Sequence, residues 1–160
     1  MEQQVFLSRA ERYQDMIYRI ALNALTSPQD AEDVLQEVLL KLYKVCQPPQ
    51  KEFEGEEHLR HWLIRVTVNA CRDVHRSAWR RKTLPLETAS ASIPFEEPVQ
   101  QELFEAVMAL PERYRVVLYL FYYEDLTAAQ IAAALKLSVS AVTTRLCRGR
   151  EKLRHIWKED

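Results

Sequence analysis

Glycine is almost missing, with two residues in 160. Tight β-turns and phosphate-cradling loops draw on glycine because it enters positive φ without a Cβ clash. A β-rich or nucleotide-cradling fold is therefore disfavoured, and helices joined by short polar turns are expected. Cysteine is also sparse. Cys46, Cys71 and Cys147 make an odd number with no CxxC pair. That supports neither a zinc site nor a disulfide framework, and it fits reduced thiols in the cytoplasm. No run approaches the ~18 apolar residues of a membrane span, so no direct membrane insertion is expected. Met1-Glu2-Gln3-Gln4 lacks the basic start and apolar stretch of a signal peptide. Catalytic signatures are missing too. His58, His61, His75 and His155 show no metal-ligand spacing, and neither GxSxG nor a P-loop occurs. The chain reads as a non-enzyme with no cofactor and no metal.

Hydrophobic residues make up 48%, enough for a packed core. The net charge of −1 hides strong segregation. Met1 to Glu57 holds 6 basic and 11 acidic residues, and His58 to Lys82 holds 7 basic and 1 acidic. Thr83 to Glu112 holds 6 acidic and no basic residues, and Thr143 to Lys158 holds 6 basic and 1 acidic. Either basic block alone is equally well a solvated helix face. Two of them, parted by acidic stretches, point to two surfaces for a polyanion.

Apolar spacing predicts helices along the whole chain. Residues 9 to 45 read as two helices, and Met16, Ile17, Ile20, Ala21 and Ala24 line one face of the first, which stops near Thr26-Ser27-Pro28. A second runs from Gln29 to Val45, with Val34, Leu35, Val38, Leu39 and Leu42 on its apolar side. Residues 46 to 57 form a loop containing Pro48-Pro49 and one of the glycines. A long helix follows from about His58 to Arg81. Leu59, Trp62, Leu63, Val66, Ala70 and Val74 share one side of it. Arg65, Asn69, Arg72 and Arg76 line another and run toward Trp79-Arg80-Arg81-Lys82. Such a polar and basic stripe makes a track for a nucleic-acid strand.

Thr83 to Pro98 carries three prolines among Ser, Thr, Ala and acidic residues, the composition of an interdomain linker. The expected architecture is all-α, with two small helical domains, 1–82 and 99–160, joined by a flexible linker over 83–98. In the second domain, helices are expected from Val99 to Ala109, Pro111 to Tyr123, Thr127 to Leu135, and Ser138 to about Trp157. The last two form a helix-turn-helix around Lys136-Leu137-Ser138. Thr127 caps one, and Ser138 or Ser140 caps the other. Val139, Val142, Leu146, Gly149 and Leu153 fall on the buried side of the final helix. Ser140, Thr144, Cys147, Arg148 and Glu151, flanked by Arg145, fall on the other side. A recognition helix needs this division: one stripe holds its angle while short polar and basic side chains meet the major groove.

Five stretches also carry a family resemblance. Leu110-Pro-Glu-Arg-Tyr-Arg, Leu126-Thr-Ala-Ala-Gln-Ile-Ala-Ala-Ala-Leu and Ser138-Val-Ser-Ala-Val-Thr-Thr-Arg-Leu-Cys-Arg-Gly-Arg-Glu-Lys-Leu-Arg resemble region 4 of extracytoplasmic-function sigma factors, in the sigma-70 family. Asp30-Ala-Glu-Asp-Val-Leu-Gln-Glu-Val-Leu-Leu-Lys-Leu-Tyr resembles region 2.2. Phe53-Glu-Gly-Glu-Glu-His-Leu-Arg-His-Trp-Leu-Ile-Arg-Val-Thr-Val-Asn resembles the entry to regions 2.3 and 2.4.

The resemblance implies a factor that directs core RNA polymerase to promoter DNA. It places Asp33, Gln36 and Glu37 against the clamp helices of the largest polymerase subunit, and region 4 on the flap of the second largest. It puts Phe53 and Asn69 in a pocket for a flipped −10 base, beside Arg65, Arg72 and Arg76. Phe53 reads equally as a small satellite core under its loop. The resemblance assigns −35 recognition to Thr143, Thr144, Arg145, Cys147 and Arg148, and it implies an anti-sigma factor partner. Three departures stand out. Thr143 replaces a common Lys or Arg, Lys136 replaces a common glycine, and the loop at 46–52 is longer. The rival reading is a homodimeric helix-turn-helix repressor or activator. It would need neither the acidic second helix nor the basic third one.

Overall fold

A computed structural model describes residues 2–48, 53–81 and 98–156, apart from the side chains of 2, 77–81 and 98–101. Every regular element among them is helical. The chain divides into two compact units, Met1–Ser90 and Ala91–Asp160. The linker expected over 83–98 lies outside the described residues except for Pro98. The side chains of Trp79, Arg80, Arg81 and Lys82 lie outside them as well.

The first unit holds α1 (Glu2–Leu25), which starts seven residues before the expected residue 9, α2 (Pro28–Val45) and α3 (Glu56–Arg81). The turn between α1 and α2 is short. Thr26 takes φ 60°, and Ser27 caps α2 by accepting the Asp30 N–H at 3.2 Å. Pro28 opens α2, where its missing N–H costs nothing, and Asp30 suits the positive end of the dipole. The core is built from Ile17, Ile20 and Ala21 of α1, Val34, Val38 and Leu42 of α2, and Leu59, Leu63 and Ile64 of α3.

The buried seam of α3 differs from the expected one. Trp62, Val66 and Val74 are only half-buried, whereas Ile64, Thr67, Val68 and Cys71 are buried. The reason is that α3 packs on both α1 and α2, so it buries a broad face rather than one stripe. Thr67 tolerates this because its hydroxyl donates to the Leu63 carbonyl at 2.7 Å. Two polar ties fix α3 at its ends. Glu56 accepts from the Tyr13 hydroxyl and pairs with Arg12 at 2.9 Å. His75 Nε2 lies 3.2 Å from the Ala24 carbonyl oxygen.

The second unit holds α4 (Pro98–Met108), α5 (Glu112–Tyr122), α6 (Ala128–Leu135) and α7 (Val139–Ile156). α5 touches the other three helices, and most of its side chains are buried. Val117, Leu118, Tyr119 and Leu120 form the centre, with Phe104, Ile131, Val142 and Leu146 packed around them. Buried polar groups find partners. Arg115 donates to the Leu110 carbonyl at 3.0 Å, and the Tyr119 hydroxyl donates to Glu124 at 3.0 Å.

Thr127 and Gln130 close α6 reciprocally. The Gln130 N–H donates to Thr127 Oγ1 at 3.1 Å, and the Thr127 N–H donates to Gln130 Oε1 at 2.9 Å. Lys136 ends α6 at φ 60°, ψ 46°, the left-handed conformation expected of a glycine there. Ser138, rather than Ser140, accepts the Ala141 N–H at 3.0 Å and starts α7.

Candidate nucleic-acid interface

α7 presents two distinct sides. Val142, Leu146 and Gly149 are buried and Leu153 is half-buried. Val139, expected in that stripe, is instead 49% exposed. It is the first residue of the helix, one turn ahead of Val142, where the packed part of α7 begins. Thr143, Thr144, Cys147, Arg148 and Glu151 are exposed, and Arg145 is half-buried. Cys147 is a free thiol. The Thr143 hydroxyl donates to the Val139 carbonyl at 2.9 Å, leaving an oxygen that can still accept. The side facing solvent therefore carries hydroxyls, a thiol and two guanidinium groups at helical spacing. Such a set can meet base edges and phosphates together.

The long helix of the first unit carries the second surface. Arg65, Asn69 and Arg76 are exposed and Arg72 is half-buried, on the side opposite Leu63, Ile64 and Thr67. Arg72 Nη1 donates to Asn69 Oδ1 at 3.5 Å, which engages the amide oxygen and not the exposed residue's N–H donors. Arg76 approaches Asp73 at 3.9 Å, an exposed contact of little energetic weight.

Phe53 is not brought to Asn69 by any described contact. It is half-buried and meets the edges of His58 at 5.3 Å and Trp62 at 5.4 Å. Trp62 lies seven residues before Asn69, roughly 10 Å along the helix. The Arg9 guanidinium covers the Phe53 ring at 5.5 Å, and Arg9 Nη1 also reaches Cys46 Sγ at 3.5 Å. Both readings of Phe53 thus keep a footing: it is packed like a satellite core yet remains partly open. Arg9 lies far from Phe53 in the chain, and no local spacing pointed to it.

On α2, Asp33, Gln36 and Glu37 are all exposed, and Glu37 pairs with Lys41 at 3.5 Å. The same face runs on into Leu40, 55% exposed, and Tyr43, 42% exposed. The acidic patch therefore ends in an apolar tip. The three-residue step from Glu37 to Leu40 was readable in the sequence, but exposure of a leucine was not. A third surface lies in the second unit. There a cavity of about 260 Å³ is walled by Leu103, Val107, Leu118, Tyr122 and Leu153, with Arg150 and Arg154 also lining it.

Residues 10–81 match Sigma-70 region 2, and residues 100–153 match Sigma-70, region 4. The two matches together span most of the chain. The chain belongs to the sigma-70 family, in its extracytoplasmic-function group. It is similar to the ECF RNA polymerase sigma factor SigW of Bacillus subtilis, 28% identical over 96% of this chain and 89% of that protein. It is also similar to the ECF RNA polymerase sigma factor SigE of Mycolicibacterium smegmatis, 29% identical over 89% of this chain and 58% of that protein. Among solved structures, a chain of the complex of the sigma factor RpoE with the anti-sigma factor NepR from Bartonella quintana matches with a TM-score of 0.79. That match covers 98% of this chain and 99% of the other at 18% identity, which speaks for the fold alone. This sigma factor binds core RNA polymerase and promoter DNA through regions 2 and 4, and it is not an enzyme. Among the described residues, no helix is long and apolar enough to cross a membrane.

Proposed function

We propose that α6 and α7 act as a helix-turn-helix whose second helix reads duplex −35 DNA, while α3 holds the melted −10 strand. The observation that carries this is the division of α7. Its buried Val142, Leu146 and Gly149 stripe fixes the helix against α5 and α6, and Thr144, Arg145, Cys147 and Arg148 are left for the groove. Thr143, at the rim, offers an acceptor or a weak phosphate contact rather than a charge. On α3, Asn69 supplies the amide that reads a base edge, and Arg65, Arg72 and Arg76 follow the strand. Phe53 walls the entrance of that site and is steadied by Arg9.

Asp33, Gln36 and Glu37 face the clamp helices of the largest polymerase subunit, where an acidic, amide-bearing surface suits a basic helix. The apolar cavity between α4, α5 and α7 receives the flap of the second largest subunit. An anti-sigma factor holds this cytoplasmic protein inactive until a signal releases it. That reading is supported by the structural likeness to a sigma factor solved with such a partner.

Run-off transcription with purified core polymerase over genomic fragments tests the proposal. Specific initiation is expected only when the chain is added. The chain alone should bind duplex promoter DNA weakly, since each unit offers few contacts and the acidic stretches repel phosphate. Tight, specific duplex binding without polymerase would support the homodimeric repressor instead.

A further inference from the structure

His58 stands in the first turn of α3 and reaches back to the chain that enters it. The Glu54 N–H donates to His58 Nδ1 at 2.9 Å. Gly55 turns the chain at φ 119°, which glycine adopts without a Cβ penalty. Its carbonyl oxygen accepts the Leu59 N–H at 3.2 Å as α3 begins. A backbone N–H at a helix start is commonly taken by a Glu or Gln side chain of the first turn. Here an imidazole takes it. The same ring packs against Phe53, with centroids 5.3 Å apart and planes at 73°. Trp62, one turn further along α3, meets Phe53 at 5.4 Å. His58 and Trp62, both half-buried, thus form one ledge for Phe53.

The hydrogen bond decides the state of the ring. A backbone N–H only donates, so Nδ1 must offer its lone pair and the ring proton sits on Nε2 of a neutral imidazole. A protonated ring carries N–H on both nitrogens and cannot accept. The contact is then lost, and two donors face each other. Protonation also sets a second cation beside Phe53, because the Arg9 guanidinium of α1 already lies 5.5 Å from the ring centroid. Arg9 in turn reaches Cys46, at the end of α2, at 3.5 Å. The positive end of the α3 dipole opposes the new charge as well. The nearby acids have other partners. Glu56 is held by Tyr13 and Arg12 of α1, and Glu57 lies 3.4 Å from Arg60 and from His61. Glu54 is exposed at the turn itself.

We infer that His58 is a positioning residue for −10 DNA: its neutral imidazole pins the turn at Glu54 and sets Phe53 at the mouth of the −10 site, and its protonation releases both. This rests on the reading of Phe53 as the wall of that site. The sign follows from the acceptor role. The neutral ring is the competent one, so strand capture is present at higher pH. It is lost as pH falls through the interval in which histidines gain charge, from ~8 to ~5. Phe53 responds because Glu54 is the next residue, so a turn freed at 54 moves the ring directly. Asn69 lies roughly 16 Å further along the same helix and keeps its place. All of these residues belong to the first unit, so −35 reading by α7 does not follow the charge of His58.

The test is holoenzyme binding to single-stranded −10 oligonucleotides from pH ~8 to ~5, with duplex −35 fragments as the reference at each pH. The ratio of the two affinities removes losses common to the whole holoenzyme. For the parent it should fall roughly three- to tenfold across the series, the scale of one net hydrogen bond. His58→Gln keeps an acceptor that does not titrate, so it should hold the high-pH ratio throughout. His58→Phe keeps a ring against Phe53 but no acceptor, so its ratio should be low and flat at every pH. A flat parent profile, or one that His58→Gln does not flatten, overturns the inference, whether or not His58→Phe folds. Phe53→Ala separates the two readings. If it weakens −10 capture while His58→Gln leaves the pH profile of the parent unchanged, the wall stands and the role of His58 falls. If Phe53→Ala leaves −10 capture intact, the wall fails and the role of His58 fails with it.

Discussion

Gly149 of α7 lies directly against Tyr114 of α5. A methyl group added at 149 would meet the Tyr114 Cβ at 3.2 Å and the Leu118 Cδ1 at 3.0 Å. The leucine tip can swing aside, but the tyrosine Cβ is fixed to its backbone. Replacing glycine within a helix normally gains about 1 kcal/mol. Here the clash opposes that gain, and a larger side chain reverses it. Gly149→Val is expected to lower stability by about 1–3 kcal/mol through overpacking. Urea unfolding of the full chain, followed by tryptophan-independent helical signal, checks this. A variant as stable as the parent would mean that α5 and α7 are not closely packed there.

Lys136 carries the opposite lesson. It occupies φ 60° with a full side chain, at a place where the Cβ is a steric cost. Lys136→Gly is expected to stabilise the second unit by roughly 0.5–1 kcal/mol, the strain relieved less the extra chain entropy of glycine. A rise in the urea midpoint without a change in slope is the expected outcome. A fall would mean that the lysine side chain makes a contact worth more than the strain.

The Tyr13–Glu56 contact predicts a pH dependence. The Tyr13 hydroxyl, and then Arg12, hold the Glu56 carboxyl below its ordinary pKa. A depressed carboxylate contributes stability above its unfolded pKa and loses it as pH falls through the folded value. The stability of the first unit should therefore fall as pH drops through and below the usual carboxylate range. Glu56→Gln should flatten that part of the curve. The effect is small because Glu56 is largely exposed and screened by solvent. Parallel acid curves for parent and variant would count against the linkage.

The polymerase face predicts a binding defect without unfolding. Asp33→Lys with Glu37→Lys should weaken assembly with core polymerase by about tenfold or more, ~1.4 kcal/mol, by adding like charge opposite a basic helix. Both positions are exposed and off the buried stripe, so helical content should not change. Unchanged affinity for core would remove this face from the proposal.

The two DNA surfaces should separate cleanly. Arg148→Ala is expected to cost roughly 1–3 kcal/mol at one −35 base pair and to relax preference there. Capture of single-stranded −10 DNA should stay intact. Asn69→Ala should do the reverse. Holoenzyme binding profiles on duplex −35 variants and on single-stranded −10 variants measure both. Crossed effects, with Arg148→Ala changing only −10 selectivity or Asn69→Ala only −35 selectivity, would reverse the assignment.

By itself the sequence determined the helical class, nearly every helix boundary and the segregation of charge. These are local properties. A 3.6-residue repeat, a cap such as Thr127 with Gln130, and a scarcity of glycine act within a few residues of one another. The family was legible for the same reason, since its motifs are runs of adjacent residues. Tertiary structure decided what depends on a distant partner. It widened the buried face of α3, because two helices pack on it, and left Trp62 and Val74 half-open. It exposed Val139 at the start of α7, where periodicity alone had buried it. It set Arg9 on Phe53, and it brought Lys152 of α7 over the ring of Tyr114 on α5. A helical wheel reports which side chains share a face of one helix. Which neighbour covers that face, and which charges from other helices arrive beside it, follows only from packing.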